Sequence, residues 1–185
     1  MSKKVVIAVG SFRKGSFNQS LANYIAEQLE ANGVTAEFLD YKNVPMLEQD
    51  TEYPAPAAVE AVRAQVASAN GLWVVSPEYN GSYPAMLKNV LDWLSRPVKP
   101  FDFETPTVIN GLATTSSGAA GSTFAKFVLG NVQTLLGYIR TNVMPGEGVG
   151  IQMTPETWTT GELQLTDEQK VQLNEQVKNF IAFIG

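Results

Sequence analysis

Short apolar segments that alternate with helical patterns constrain the fold of this chain more than any other feature. Residues 4–9 and 71–76 are almost wholly apolar, which is typical of strands buried on both faces of a parallel sheet. The predicted strands are 4–9, 34–39, 71–76, 107–114 and 138–143. The predicted helices are 19–31, 58–69, 84–95, 122–136 and a last one that starts at Thr166. This alternation predicts one α/β domain over residues 1–185, with a doubly wound five-stranded parallel sheet and helices on both faces.

The first and last helices carry the clearest helical patterns. Leu21, Ile25 and Leu29 recur at the spacing of one helix face, so we expect them to pack on the sheet. The segment from Thr166 to Gln169 fits a capping box at the start of the last helix. Its predicted core stripe is Leu173, Val177, Phe180, Ile181 and Ile184.

The composition limits the chemistry that this chain can perform. It contains no Cys and no His, so thiolate nucleophiles, His-based triads and the usual nitrogen-ligated metal sites are excluded. A redox enzyme without these residues depends on a cofactor for its chemistry. The net charge of −5 disfavours nucleic acid as a partner. The apolar run 5–9 is too short for a signal peptide or a membrane span, so we expect a cytoplasmic protein.

The loop after the first strand has the character of an anion site. It runs from Gly10 to Asn18, includes the hydroxyls of Ser11 and Ser16, and leads directly into a helix. Free N–H groups and the positive end of the helix dipole attract anions there, and Arg13 adds a fork suited to phosphate. The loop lacks the glycine spacing of a Rossmann site and the lysine pattern of a P-loop. The alternative is a solvated loop in which Asn18 only caps the helix.

The loop after the third strand has the residues that a flat ring needs. Pro77 ends the strand, Tyr79 offers an aromatic face, and Glu78 and Asn80 offer polar groups at its edge. The alternative is an ordinary turn with Pro84 at the first helical position. A third loop, 116–121, consists of small residues and follows the fourth predicted strand. Ligands bind at the carboxyl ends of parallel strands, so we expect these loops to share one crevice.

Two motifs together resemble the NADPH-dependent FMN reductase family, which includes chromate, quinone and azo-dye reductases of flavodoxin-like fold. The first is Gly-Ser-x-Arg-x-x-Ser-x-Asn over residues 10–18. The second is Pro-Glu-Tyr-Asn-Gly-Ser-x-Pro-x-x-Leu-Lys-Asn-x-x-Asp-Trp-Leu-Ser-Arg over residues 77–96. The resemblance implies strand order 2-1-3-4-5 and bound FMN, with NAD(P)H as co-substrate.

The resemblance also implies which residues bind the cofactor. The first loop would hold the FMN phosphate, the second would line the isoalloxazine ring through backbone groups, and the third would flank the flavin. The residues concerned are Ser11, Arg13, Ser16, Phe17, Asn18, Pro77, Glu78, Tyr79, Asn80, Ser116, Ser117 and Gly118. The flavin N5 would carry the hydride, so no catalytic side chain is expected. One open ring face would serve both substrates in turn by a ping-pong mechanism, with quinones, azo dyes, free flavin or metal oxyanions as acceptors.

Two other functions compete with a reductase. A flavodoxin-like electron carrier would pass single electrons to a protein partner, but such carriers usually neutralise the phosphate without an arginine such as Arg13. A non-enzymatic module could share the fold, because fold alone does not define function.

The helix predicted at 84–95 bears on assembly. Its apolar arc is about 160° wide, more than the roughly 100° that covering a sheet demands. We therefore expect Met86, Val90 and Trp93 to contact the same helix of a partner in a homodimer, or within a homotetramer. The alternative is a helix buried beneath the proline-rich connection 43–57 of its own chain.

Overall fold

A parallel sheet forms the centre of the computed structural model, which describes residues 3–185. The strands are β1 (Lys4–Val9), β2 (Thr35–Phe38), β3 (Gly71–Val75), β4 (Ala113–Ala120), β5 (Asn142–Val143) and β6 (Val149–Gln152). Their order is β2-β1-β3-β4-β5, and β6 also pairs with β4. The predicted order 2-1-3-4-5 is confirmed.

The fifth position of the sheet is shared by two short strands. β5 pairs with Ala113 and Thr114 at the start of β4, whereas β6 pairs with the second half of the same strand. The two are therefore halves of one edge strand, interrupted by residues 144–148. All pairings are parallel, so the carboxyl ends of β1, β3 and β4 lie at the same edge.

Helices cover both faces of the sheet, as expected. The helices are α1 (Phe17–Ala31), α2 (Ala57–Ala67), α3 (Ala85–Leu94), α4 (Lys126–Tyr138), α5 (Pro155–Thr160) and α6 (Asp167–Phe183). α1 and α6 pack on one face and α2, α3 and α4 on the other. Ile7 of β1 points to the first layer and Val6 to the second, and both are fully buried. Within residues 3–185, no helix combines the length and the apolar character needed to cross a membrane.

Helix α1 and helix α6 follow their sequence patterns closely. Leu21, Ile25 and Leu29 of α1 are buried against the sheet, and burial contributes about 1.5–3 kcal/mol for each such side chain. At α6, the Thr166 hydroxyl accepts from the backbone N–H of Gln169, whose side chain accepts from the Thr166 N–H in return. The predicted capping box is therefore present. The predicted stripe of α6 packs into the same core layer.

The predicted position of the fourth strand is wrong. β4 spans Ala113–Ala120 rather than 107–114, and residues 107–112 form consecutive turns in which the Asn110 N–H donates to the Thr107 carbonyl. Small polar residues are typical of loops, so the segment 116–121 was predicted as one. In the structure the backbone of 116–120 pairs with β3 and β6, and the Ser117 hydroxyl has buried partners in Trp73 and Gln176, which lets the segment lie in the sheet. The fifth strand is also shorter than predicted, because α4 continues to Tyr138.

The connection 43–57 covers the outer face of α3. The carbonyl of Pro45 accepts hydrogen bonds from the Asn89 amide, at 2.8 Å, and from the Trp93 indole, at 2.9 Å. Trp93 and Val90 are consequently buried within their own chain. The predicted dimer contact is therefore wrong for these two side chains, and the alternative of a helix buried beneath the proline-rich connection is correct. Met86 remains 37% exposed.

An ion pair anchors the end of this connection. Both carboxylate oxygens of Glu52 accept from the Arg96 guanidinium, at 2.7 and 2.6 Å, and Glu52 itself is 2% exposed. The hydrogen bonds from Arg96 hold the pKa of Glu52 below its ordinary value. A carboxylate with a lowered pKa stabilises the fold fully above the ordinary value near 4.5, and this contribution is lost as the pH falls through the lowered pKa.

We therefore expect Glu52→Gln to lower the free energy of unfolding by about 1–3 kcal/mol at pH 7, because a charge-assisted bidentate contact is lost. The difference from the unsubstituted protein should shrink as the pH falls below 4.5. Urea unfolding at several pH values measures this. Glu48→Gln, at an exposed position nearby, serves as the control. A difference that stays constant down to pH 3 would contradict the role of the ion pair.

Candidate functional site

A crevice lies at the carboxyl edge of the sheet, where the loops after β1, β3 and β4 meet. Its volume is about 490 Å³, which falls in the range typical of small-molecule sites. The lining residues are Ser11, Arg13, Ser16, Phe17, Asn18, Pro77, Glu78, Tyr79, Ala119, Ala120, Gly121, Met153, Trp158 and Gly161. Eight of these belong to the first two predicted loops.

The first loop presents free donors at the start of α1. Ser16 is the N-cap residue, and its hydroxyl accepts from the Gln19 N–H at 3.3 Å. Among the described residues, the N–H groups of Phe17 and Asn18 have no hydrogen-bond partner within the chain. These two donors and the positive end of the helix dipole can therefore bind an anion.

Arg13 stands over the same helix start. Its guanidinium donates to the carbonyls of Lys14 and Gly15, at 3.3 and 2.6 Å, and lies 5.2 Å from the centre of the Phe17 ring. An arginine has five N–H donors, so most of its hydrogen-bonding capacity is still free for a ligand. The side chain is exposed at the mouth of the crevice, where it supplies a permanent positive charge.

The side chain of Asn18 connects the first loop to β4 and does not cap the helix. Its amide donates to the Ala119 carbonyl at 3.0 Å, and its oxygen accepts from the Ala119 N–H at 2.8 Å. The side chain is buried, so this reciprocal pair is protected from water. Asn18 therefore fixes the distance between the first and third walls of the crevice.

The second loop is shaped by a tight turn. Tyr79 and Ser82 exchange two backbone hydrogen bonds, at 2.8 and 3.0 Å, around Asn80 and Gly81. Both central residues have positive φ, at 51° and 74°, which Asn-Gly tolerates at low cost. The ring of Tyr79 is 51% exposed beside the crevice. Pro84 lies just before the first residue of α3, one residue earlier than the first helical position that the alternative of an ordinary turn predicts.

Glu78 holds the second loop against α4. Its carboxylate accepts from the Val128 N–H in the first turn of that helix, at 3.0 Å. The Ala125 residue before α4 provides no side-chain cap, so Glu78 supplies one from another loop. In the part of the chain that the structure describes, the N–H groups of Glu78 and Asn80 donate no hydrogen bond. These two N–H groups are therefore available to a ligand; Glu78 lines the crevice, and Asn80 directly follows Tyr79, the last lining residue of this loop.

The structure places Ser116, Ser117 and Gly118 inside β4, short of the crevice. Ser117 accepts from the Trp73 indole at 3.0 Å and donates to Gln176 at 2.8 Å, so its hydroxyl is used within the core. A Cβ on Gly118 would lie 2.5 Å from the Ser76 carbonyl, so a glycine is needed for strand packing. The crevice is reached instead by Ala119, Ala120 and Gly121.

Sequence reasoning missed Met153, Trp158 and Gly161, which form the remaining wall. They lie in or beside α5, a one-and-a-half-turn helix in a region that was not assigned an element. A cap signal was present: the Thr154 hydroxyl accepts from the Thr157 N–H, with Pro155 at the first helical position and Gly161 just after the end. Six residues are too few for a helical hydrophobic period to be recognised.

The crevice fits FMN in charge and in shape. The free donors of α1 and the charge of Arg13 suit a phosphate, which is dianionic near neutral pH. The Glu78 carboxylate accepts a hydrogen bond from the N-terminus of α4, which stabilises its negative charge beside the expected position of the flavin ring. The aromatic and backbone groups of the second loop suit a flat ring with polar edges. Fold and crevice together define a flavodoxin-like, nucleotide-binding protein.

Comparison with known proteins identifies the family. A family model described as NADPH-dependent FMN reductase matches residues 3–155. The chain is 33% identical to the quinone reductase of Escherichia coli (strain K12), over 88% of this chain and 94% of that protein. It is 38% identical to a 2-hydroxy-1,4-benzoquinone reductase of a Burkholderia species, over 77% of this chain and 76% of the relative.

Solved structures agree with this family. The flavoenzyme NAD(P)H:(acceptor) oxidoreductase of Paracoccus denitrificans superposes with a TM-score of 0.83 and 26% identity, over 98% of this chain and 97% of that chain. The chain belongs to the NADPH-dependent FMN reductase family, and it is an oxidoreductase with FMN as cofactor and NAD(P)H as co-substrate.

If Arg13 binds the phosphate, Arg13→Ala should weaken FMN binding by about 1.5–3 kcal/mol, the scale of a charge-assisted hydrogen bond. Titration of the apoprotein with FMN, followed by flavin fluorescence, gives the affinity. Lys14→Ala removes a charge from the next exposed position without removing the fork, so its effect should be clearly smaller. Equal affinities for the Arg13 variant and the unsubstituted protein would contradict this role.

Proposed function

We propose that this enzyme transfers electrons from NAD(P)H through bound FMN to quinones. The observation that carries the proposal is the continuity of the crevice: one cavity joins the donors of α1 to residues 77–79 of the second loop. A cofactor with a phosphate at one end and a flat ring at the other spans these two features. The names of the Escherichia coli and Burkholderia relatives support a quinone as the acceptor.

The residues of the chain bind and orient the cofactor. Phe17 and Asn18 donate backbone N–H groups to the phosphate, while Arg13 neutralises its charge. Glu78 and Asn80 donate N–H groups to the polar edge of the ring. Bound FMN itself supplies the hydride and electron transfer, so the chain needs no general base. This division of labour is consistent with a sequence without His or Cys.

An open ring face underlies the proposed ping-pong mechanism. Tyr79 is half exposed beside the crevice, so one ring face stays accessible to the nicotinamide and then to the acceptor. Azo dyes, free flavin and metal oxyanions such as chromate are further candidate acceptors, because an exposed reduced ring can donate electrons to many kinds of molecule. The proposal includes both NADH and NADPH as hydride donors.

An electron carrier is the second candidate function. A short-chain flavodoxin superposes over the full length of both chains with a TM-score of 0.62, but at 15% identity this likeness concerns the fold alone. Arg13 favours the reductase, since carriers of this fold usually surround the phosphate with hydroxyl and amide groups. The two functions differ in one property, which is turnover with a small-molecule acceptor.

We propose a homodimer, or a homotetramer, as the assembled form. Met86 is the one member of the predicted contact that still faces solvent, so we expect an interface at α3 to include its first turn. Light scattering at micromolar concentration measures the assembly. A monomeric mass would remove this part of the proposal.

Steady-state kinetics test the function directly. The FMN-loaded protein should oxidise NADH or NADPH when a benzoquinone is present, and double-reciprocal plots at several quinone concentrations should be parallel. Catalysis should be lost in protein without FMN and restored by adding it. Reduction of the bound flavin without turnover would favour the carrier, and intersecting lines would contradict the ping-pong mechanism.

A further inference from the structure

Helix α5 presents one aromatic side chain to the crevice. Trp158 is 59% exposed although it lies beside the wall formed by α1. A single exposed aromatic side chain needs no functional explanation by itself, but Trp158 also lines the crevice and contacts Phe17. The family model matches residues 3–155, so Trp158 lies outside the matched region.

The surroundings of Trp158 hold it in place. Thr154 caps the first turn of α5, and Gly161 ends the helix in a left-handed conformation with its N–H bonded to the Thr157 carbonyl. The Thr157 side chain is fully buried, and its hydroxyl accepts from the Gln164 N–H at 3.3 Å. A helix this short has no stability of its own, so these contacts fix its position.

A stack of three side chains, those of Trp158, Phe17 and Arg13, connects α5 to the loop after β1. The rings of Trp158 and Phe17 meet edge to face, with centroids 5.6 Å apart and planes at 85°. The guanidinium of Arg13 lies over the same Phe17 ring at 5.2 Å. Phe17 is also the first residue of α1, so its N–H is one of the two free donors. Trp158 therefore contacts the residue that both supports Arg13 and faces the anion.

We propose that Trp158 is a positioning residue for the cofactor phosphate, acting through Phe17 on Arg13. This inference rests on the placement of the phosphate at the start of α1. An arginine on an exposed loop loses rotamer entropy when it binds a ligand. The stack confines Arg13 before the ligand arrives, so less of the binding free energy is lost to ordering the side chain.

Comparison of two flavins tests the proposal, because riboflavin has the ring but lacks the phosphate. Trp158→Ala should raise the dissociation constant for FMN about three- to tenfold, the effect of one aromatic pair, and leave that for riboflavin unchanged. Trp158→Phe should restore most of the FMN affinity. Tyr138→Ala, an exposed aromatic position at the far end of α4, is the matched control and should change neither affinity.

A double variant separates positioning from direct contact. In an Arg13→Ala background, Trp158→Ala should have no further effect on FMN affinity, because the side chain through which it acts is missing. Equal weakening of FMN and riboflavin would overturn the proposal and indicate direct contact with the ring. An unchanged FMN affinity, or a full effect in the Arg13→Ala background, would also overturn it. Absence of FMN binding by the unsubstituted chain would overturn the cofactor site itself, so the two failures are distinguishable.

Discussion

The reciprocal hydrogen bonds between Asn18 and Ala119 are the interaction on which the site depends. They join the first turn of α1 to the carboxyl end of β4, across 101 residues of sequence. Because both partners are buried, breaking either bond would leave a desolvated polar group without a partner, at a cost of about 1–3 kcal/mol. The free N–H groups of Phe17 and Asn18 thus keep a fixed direction relative to the rest of the crevice.

Hydrogen bonds within the chain also hold the second loop in place. The Glu78 carboxylate caps α4, and the Tyr79–Ser82 turn is closed by two backbone bonds. In each loop a side chain or turn is used for bracing, and the backbone donors that remain are free for the ligand. A site of this kind needs neither His nor Cys, because the cofactor performs the redox chemistry and the chain holds it. The composition and the geometry therefore both indicate that the chain binds the cofactor and the cofactor performs the redox chemistry.

The sequence predicted the fold where local pattern and tertiary packing agree. The apolar strands β1 and β3, the stripe of α1 and the capping box at Thr166 all have local signals that the structure confirms. β4 was misplaced because its residues are small and polar. It lies in the sheet because Trp73 and Gln176, distant in sequence, satisfy the Ser117 hydroxyl. No pattern within the strand itself contains that information.

In the candidate site, too, some features follow from local sequence patterns and others from tertiary contacts. Glycine, proline and asparagine have turn preferences that act locally, so the loops at 10–18 and 77–81 could be located from sequence alone. The engagement of Asn18 with Ala119 and the burial of Trp93 beneath Pro45 are tertiary events. The first makes the side chain of Asn18 a structural link instead of a phosphate ligand. The burial of α3 beneath the connection removes two of the predicted dimer contacts. The wall formed by α5 had no periodic signal and emerged only from the structure.

We infer that three loops form one FMN site, with the phosphate at the start of α1. Amide chemical shifts of ¹⁵N-labelled apoprotein during titration with FMN test this most directly. We expect the largest changes on the free N–H groups of Phe17, Asn18, Glu78 and Asn80, followed by those of 119–121. Saturable FMN binding that leaves these amides unshifted, with changes confined to another surface, would contradict it.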